Sequence, residues 1–156
     1  MGQEVERKFL LSGDGWRDEP GEEKQIVQGY IAIGEMAQVR VRIIDGKSAL
    51  LTVKDRSTCV ERQEYEYAIP AGDARAMLDL RTGNLIEKTR KKIRCGDLVW
   101  EVDCFGGGLA GLVLAEVELK GADDQVPLPD WVGREVTGDP NYYNVTLALG
   151  GLSDQP

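Results

Sequence analysis

A Glu-x-Glu pair stands near each end of the chain, Glu4/Glu6 and Glu116/Glu118, and cations recur at alternate positions between them: Arg40 and Arg42, Lys54, Arg62, then Lys88, Arg90 and Lys92. Carboxylates two residues apart on an extended strand project from one face, a spacing suited to one or two divalent ions. Clustered arginines and lysines call for a ligand with many anionic oxygens, and arginine meets phosphate in bidentate fashion, so a linear polyphosphate fits them. The sequence contains no histidine. That removes Ser-His-Asp and Cys-His arrangements, the commonest general base and every imidazole metal ligand. A metal would then rest mainly on carboxylates, which favours a hard cation, Mg²⁺ or Mn²⁺.

The elements that carry these residues read as strands. Charged side chains alternate with apolar or aromatic ones over 3–11, 24–33, 37–44, 48–55, 59–69, 84–95, 98–105 and 112–120, eight segments separated by Gly, Pro, Asp and Ser clusters. One parity gives Glu4, Glu6 and Lys8; Arg40 and Arg42; Lys54; Arg62, Glu64 and Glu66; Lys88, Arg90 and Lys92; Glu101 and Asp103; Glu116, Glu118 and Lys120. The other parity is apolar and can pack against helices, one expected after Pro70 through AGDARAMLDLRT to Gly83 and one over NYYNVTLAL. The Gly96-Asp97 turn sets Lys92 opposite Glu101, Arg90 opposite Asp103 and Ile93 opposite Trp100. At Asp45-Gly46 a two-residue loop would separate Arg42 and Lys54 onto opposite faces. A three-residue bulge turn with Gly46 left-handed restores them to one, and is preferred. Alternation alone is served equally by an open sheet and a closed tunnel.

Composition narrows the classes. A length of 156 residues with 42% apolar and 29% charged residues indicates one soluble globular domain, 1–150, followed by a loose tail, 151–156. No apolar run reaches membrane-span length, and MGQEVERKFLL carries charges where a signal peptide needs apolar residues, so no membrane partner and a cytoplasmic location are expected. A net charge of −8 argues against nucleic acid as a partner and leaves room for a small polyanion held by locally gathered cations. Cys59, Cys95 and Cys104 lack metal-site spacing and read as reduced thiols. Gly106-Gly107-Gly108-Leu109-Ala110-Gly111 satisfies a dinucleotide-binding pattern but is followed by the strand-like LVLAEVELK, where that motif needs a helix.

With these elements in order the chain resembles the CYTH family, the triphosphate tunnel metalloenzymes, and its short bacterial members in particular. The resemblance runs from Glu4-x-Glu6-x-Lys8 in EVERKFL through QGYI, VRVR, LTVK, ERQEYEY, IEKTRKKI, WEVDCF, AEVEL and WVGREVTGDPNYYN, roughly residues 3 to 149. It implies an α+β fold, an eight-stranded antiparallel β-tunnel closed as a barrel with flanking helices, a divalent metal and a small-molecule triphosphate substrate. Glu4, Glu6, Glu116 and Glu118 resemble the metal-binding acids; Lys8, Arg40, Arg42, Lys54, Arg62, Lys88 and Arg90 the phosphate-binding cations; Lys8 and Tyr30 a catalytic lysine–tyrosine pair. Arg134 and Lys120 have no assignable family role. The activity implied is metal-dependent hydrolysis of the terminal phosphoanhydride of inorganic triphosphate, extending to nucleoside triphosphates. Class IV adenylate cyclase, thiamine triphosphatase and a non-catalytic polyphosphate binder stand as alternatives, and the chain leaves room for a homodimer.

Overall fold

A computed structural model describes residues 2–56, 61–121 and 123–150, except the side chains of residues 2–4 and 61. In chain order it contains β1 (Gly2–Leu11), a 3₁₀ turn (Gly15–Asp18), β2 (Glu22–Ile33), β3 (Ala37–Ile44), β4 (Ser48–Asp55), β5 (Glu61–Ile69), α1 (Ala71–Leu78), β6 (Thr82–Cys95), β7 (Leu98–Phe105), β8 (Val113–Glu118), β9 (Val132–Glu135) and α2 (Asn144–Gly150). The expected strand start at residues 59–60, Cys59 and the 151–156 tail lie outside the described residues. No helix among those described is long and apolar enough to cross a membrane.

All nine strands join one antiparallel sheet in the order β5-β4-β3-β2-β6-β7-β8-β1-β9. This corrects the expected eight-stranded closed barrel: β9 is an additional strand, paired with β1 at Phe9↔Glu135 and Leu11↔Val132, and it ends the sheet as an edge among the described strands. The first half of β1 also pairs with β5, from Gly2↔Glu64 to Val5↔Glu61. β9 escaped sequence reading because its four residues, VGRE, have no alternation.

Both hairpins follow their turn chemistry. In β6–β7, Lys92 faces Glu101, Arg90 faces Asp103 and Ile93 faces Trp100. Between β3 and β4, Ile44 pairs with Ser48, leaving a loop over 45–47 in which Asp45 (φ 54°) and Gly46 (φ 67°) are both left-handed. Arg42, Arg40 and Gln38 thereby share a face with Leu50, Thr52 and Lys54. The first helix stops at Leu78, short of the expected Thr82, and β6 begins there instead. Gly29 permits α1 to seat on β2, since a Cβ there would meet a Leu78 methyl at 3.1 Å.

The packing of the two faces departs from the simple reading of one ionic face and one helix-covered face. Outside, α1 covers Val41, Ile43 and Ala49, while Trp16, Trp100 and Trp131 with Val117 and Leu119 form a second cluster. Inside, charge gives way to apolar side chains along each of four adjacent strands, in staggered register. Lys88 gives way to Ile86 on β6, Asp103 to Phe105 on β7, Glu116 to Leu114 on β8 and Lys8 to Leu10 on β1. Val145, Leu147 and Ala148 of α2 pack against that inner apolar set together with Tyr30 and Tyr142. The second helix therefore sits against the inner face, because the strands turn apolar there and must be covered.

Candidate functional site

Strand pairing brings the distant acidic pairs together. Glu6 lies directly opposite Glu118, Lys8 opposite Glu116, and Glu116 opposite Glu101 on its other side. A cavity of about 300 Å³ opens over this register, lined by Glu6, Arg40, Arg42, Lys54, Arg90, Glu116 and Glu118 together with Lys24, Lys92, Glu64, Glu66 and Glu101. A second cavity of about 250 Å³ shares Glu6, Arg40, Lys54 and Asn144 with the first and adds Lys8, Tyr30, Arg62, Thr137 and Tyr143. The two are halves of one charged chamber.

Tyr30 follows Gln28 by two residues on β2 and shares its inward face, opposite Arg40 of β3; the pairing of β2 shifts register after Tyr30 on the β3 side and before it on the β6 side. Burial pushes the phenol up, against the pull of Arg40, Arg42 and Lys8, so Tyr30 is a neutral hydroxyl at neutral pH, with a bond to Arg40. The Lys8 ammonium donates to the carbonyl oxygen of Tyr142 at 2.9 Å and stands 3.5 Å from Glu116. Its backbone N–H donates to the Thr137 hydroxyl at 2.9 Å, which in turn donates to Glu135, itself gripped by Arg7. Burial alone would raise the Glu116 carboxyl, but Lys8 and Arg90 outweigh it and hold the group down at about 2.

The cations are arranged in two ways. Lys54 stands 3.6 Å from Glu64, Arg40 4.0 Å from Glu66, and Arg62 lies over the Tyr143 ring at 5.0 Å. These groups border the cavities. Lys88, expected among the phosphate-binding residues, belongs to neither lining. Its side chain is fully buried at the end of the inner charged set, 2.8 Å from Asp103, whose carboxylate also takes two bonds from Arg90 at 2.7 and 2.8 Å. Burial would raise the Asp103 carboxyl, yet Arg90 and Lys88 pull it well below the usual range. Burial pushes Lys88 down to about 7, with Arg90 and Arg42 adding repulsion that Asp103 only partly offsets.

Among the described residues no three acidic side chains already form a metal-ligating cluster, and the side chain of Glu4 is not described. The donor set nevertheless fits a hard divalent ion. Glu6, Glu116 and Glu118 line one cavity, and the like-charged cross-strand pairs Glu6/Glu118 and Glu101/Glu116 are an arrangement that a cation between them relieves. Sequence reading missed Gln28 and Asn144, neutral side chains at the heart of the wall, and the role of Thr137 behind Lys8. None carries the charge that marked the other positions.

An antiparallel sheet with a chamber of paired acids and clustered cations on its inner face defines a β-protein built to hold a polyanion. The chain belongs to the CYTH domain family, whose model matches residues 2–147. It is 45% identical over 150 residues to the inorganic triphosphatase of Acetivibrio thermocellus, covering 94% of each chain. It is 34% identical over 151 residues to the inorganic triphosphatase of Nitrosomonas europaea, covering 94% of this chain and 97% of the relative. A solved structure of an inorganic triphosphatase superposes with a TM-score of 0.67 at 33% identity, covering 93% of this chain and 97% of that one.

Proposed function

We propose that this chain is an inorganic triphosphatase, cleaving the terminal phosphoanhydride of tripolyphosphate with Mg²⁺ or Mn²⁺ in the cytoplasm. The observation that carries the reading is the chamber, in which cations from β2, β3, β4, β5 and β6 surround acids delivered by β1 and β8. The pairing of β5 with β1 curves the sheet around that chamber.

Glu6, Glu116 and Glu118, joined by Glu4, would hold the divalent ion, which when bound supplies charge neutralisation and an acidified water. Arg40, Arg42, Lys54, Arg62 and Arg90 bind the phosphate oxygens and neutralise the charge that builds on them during in-line attack by water, the main source of rate in phosphoryl transfer. Lys88 reinforces them through the field from the buried end of the chamber. Lys8, held by Tyr142 and Glu116 with a donor to spare, polarises the terminal phosphate. Tyr30 keeps its proton and orients the water as a neutral hydroxyl.

The test is product analysis from tripolyphosphate, ATP and thiamine triphosphate with either metal. Phosphate and pyrophosphate in equal amounts, fastest from tripolyphosphate, is the expected result. Cyclic AMP as the main product from ATP, or fastest turnover on thiamine triphosphate, would overturn it.

A further inference from the structure

Gln28 is fully buried on β2 and its side-chain oxygen accepts from Arg42 Nε at 2.7 Å. Its nitrogen donates to Asn144 Oδ1 at 3.4 Å, and the same oxygen accepts from Lys88 Nζ at 3.3 Å. Asn144 opens α2 and lines both cavities. One continuous chain of contacts thus runs Arg42–Gln28–Asn144–Lys88, and both links holding the cations are neutral amide oxygens. Elsewhere in the wall cations stand beside carboxylates: Arg90 with Asp103 and Glu101, Lys54 with Glu64, Lys8 with Glu116. Among the described residues Lys88 forms an ion pair with Asp103, which it shares with Arg90, and feels Glu116 at longer range.

We propose that Gln28 and Asn144 are specificity-determining residues, holding Arg42 and Lys88 in place without adding negative charge, so that Arg42, Lys88 and Arg90, which have Asp103 and Glu101 beside them, keep a positive excess for the ligand. An amide oxygen fixes a cation by a hydrogen bond and leaves its charge in the field; a carboxylate at the same point cancels it. The strain this creates is visible. Burial, with Arg40 and Arg90 nearby, pushes Arg42 down to about 9, and Lys88 lies low for the same reasons. A polyanion relieves that strain in proportion to its charge, so the amides favour triphosphate over ligands with fewer charges. Because the Asn144 oxygen is committed to Lys88 and Gln28, its NH₂ group is the part left to donate to a phosphate oxygen.

The inference rests on the triphosphatase reading, and the experiment separates the two. Asn144→Asp and Gln28→Glu keep shape and acceptor oxygen while adding one negative charge beside a buried cation. Each variant should hold or raise the melting temperature, since a buried cation gains a partner. Each should also bind tripolyphosphate at least about ten-fold more weakly by calorimetry, roughly 1.4 kcal/mol, in Ca²⁺ and again in EDTA. Discrimination between tripolyphosphate and pyrophosphate should narrow. Stability kept while affinity falls is a signature that a merely structural role would not give. Undiminished affinity in both variants, or affinity lost only in step with melting temperature, overturns the proposal alone. A wild-type protein that binds no tripolyphosphate in either condition sinks the triphosphatase reading with it.

Discussion

Asp103 is the point at which a single atom change should cost the fold most. Asp103 is 1% exposed, and its carboxylate takes Lys88 at 2.8 Å and the Nε and Nη2 groups of Arg90 at 2.7 and 2.8 Å. Asp103→Asn preserves shape and leaves Lys88 and Arg90 facing an amide, with Glu101 at 3.4 Å from Arg90 the nearest remaining acid. Breaking a buried ion pair from one side costs about 3–5 kcal/mol. At about 2–4 °C per kcal/mol for a chain of this size, the melting temperature should fall by roughly 6–20 °C. The penalty should depend on pH with a definite sign. Asp103 helps hold Lys88 up at about 7, and without it Lys88 falls further. The loss should therefore be larger at pH 6, where the wild-type pair is charged, than at pH 9, where Lys88 has already shed its proton. The acid limb should change too. The Asp103 carboxyl lies below its ordinary value in the folded chain, so the unfolded chain binds more protons as pH falls. Its contribution is complete above about pH 4 and drains away below. Thermal melts of wild type and variant between pH 3 and 9 read all three effects. A shift under about 2 °C at pH 6, or an unchanged acid limb, would refute the electrostatic reasoning.

Three further outcomes are expected. Glu6→Gln and Glu118→Gln should each lose nearly all tripolyphosphate hydrolysis while circular dichroism and melting stay close to wild type, and near-normal turnover across a Mg²⁺ or Mn²⁺ titration would remove them from the metal site. Lys8→Ala, Tyr30→Phe and the double variant should lose similar amounts of kcat, because members of one catalytic unit are strongly non-additive; losses that add would mean independent roles. Tripolyphosphate at about a hundred times its dissociation constant, with Ca²⁺ to slow turnover, should add about 2.7 kcal/mol and raise the melting temperature by about 5–10 °C. Pyrophosphate should do less and monophosphate almost nothing, whereas equal shifts would indicate a generic anion patch.

What the sequence disclosed was what charge and turn chemistry mark. The β6–β7 register is readable because Gly96-Asp97 permits only one tight turn and that turn aligns Lys92 with Glu101 and Arg90 with Asp103. The bulge at Asp45-Gly46 is readable because the alternative splits Arg42 from Lys54. Three things were hidden. β9 depends on Phe9 and Leu11 of β1 for its pairing, and on Gly133, where a Cβ would stand only 3.1 Å from the Leu10 carbonyl oxygen, none of which four residues announce. The apolar half of the inner face is hidden because Ile86, Phe105 and Leu114 look, one strand at a time, like lapses in an ionic pattern. Lys88 shares its parity with Arg90 and Lys92, yet sits at the level where the chamber ends. Alternation gives a residue's side of the sheet but not its depth along it.

The pairing of β1 has a consequence for how the molecule comes into being. Its ten residues divide among partners at 61–64, 114–118 and 132–135, whereas the other pairings, apart from β2 with β6, join sequence neighbours. Contacts that close long stretches of chain form late, since the entropy of closure precedes any gain. During synthesis β1 emerges more than a hundred residues ahead of its main partners, β8 and β9, and must wait for them. Glu6 and Lys8 meet Glu118 and Glu116 only when that wait ends, so an unfinished chain has no chamber to bind stray polyanions or metal. Pulse-labelling hydrogen exchange should find the amides of β1 among the last to gain protection on refolding, and early protection there would contradict this order.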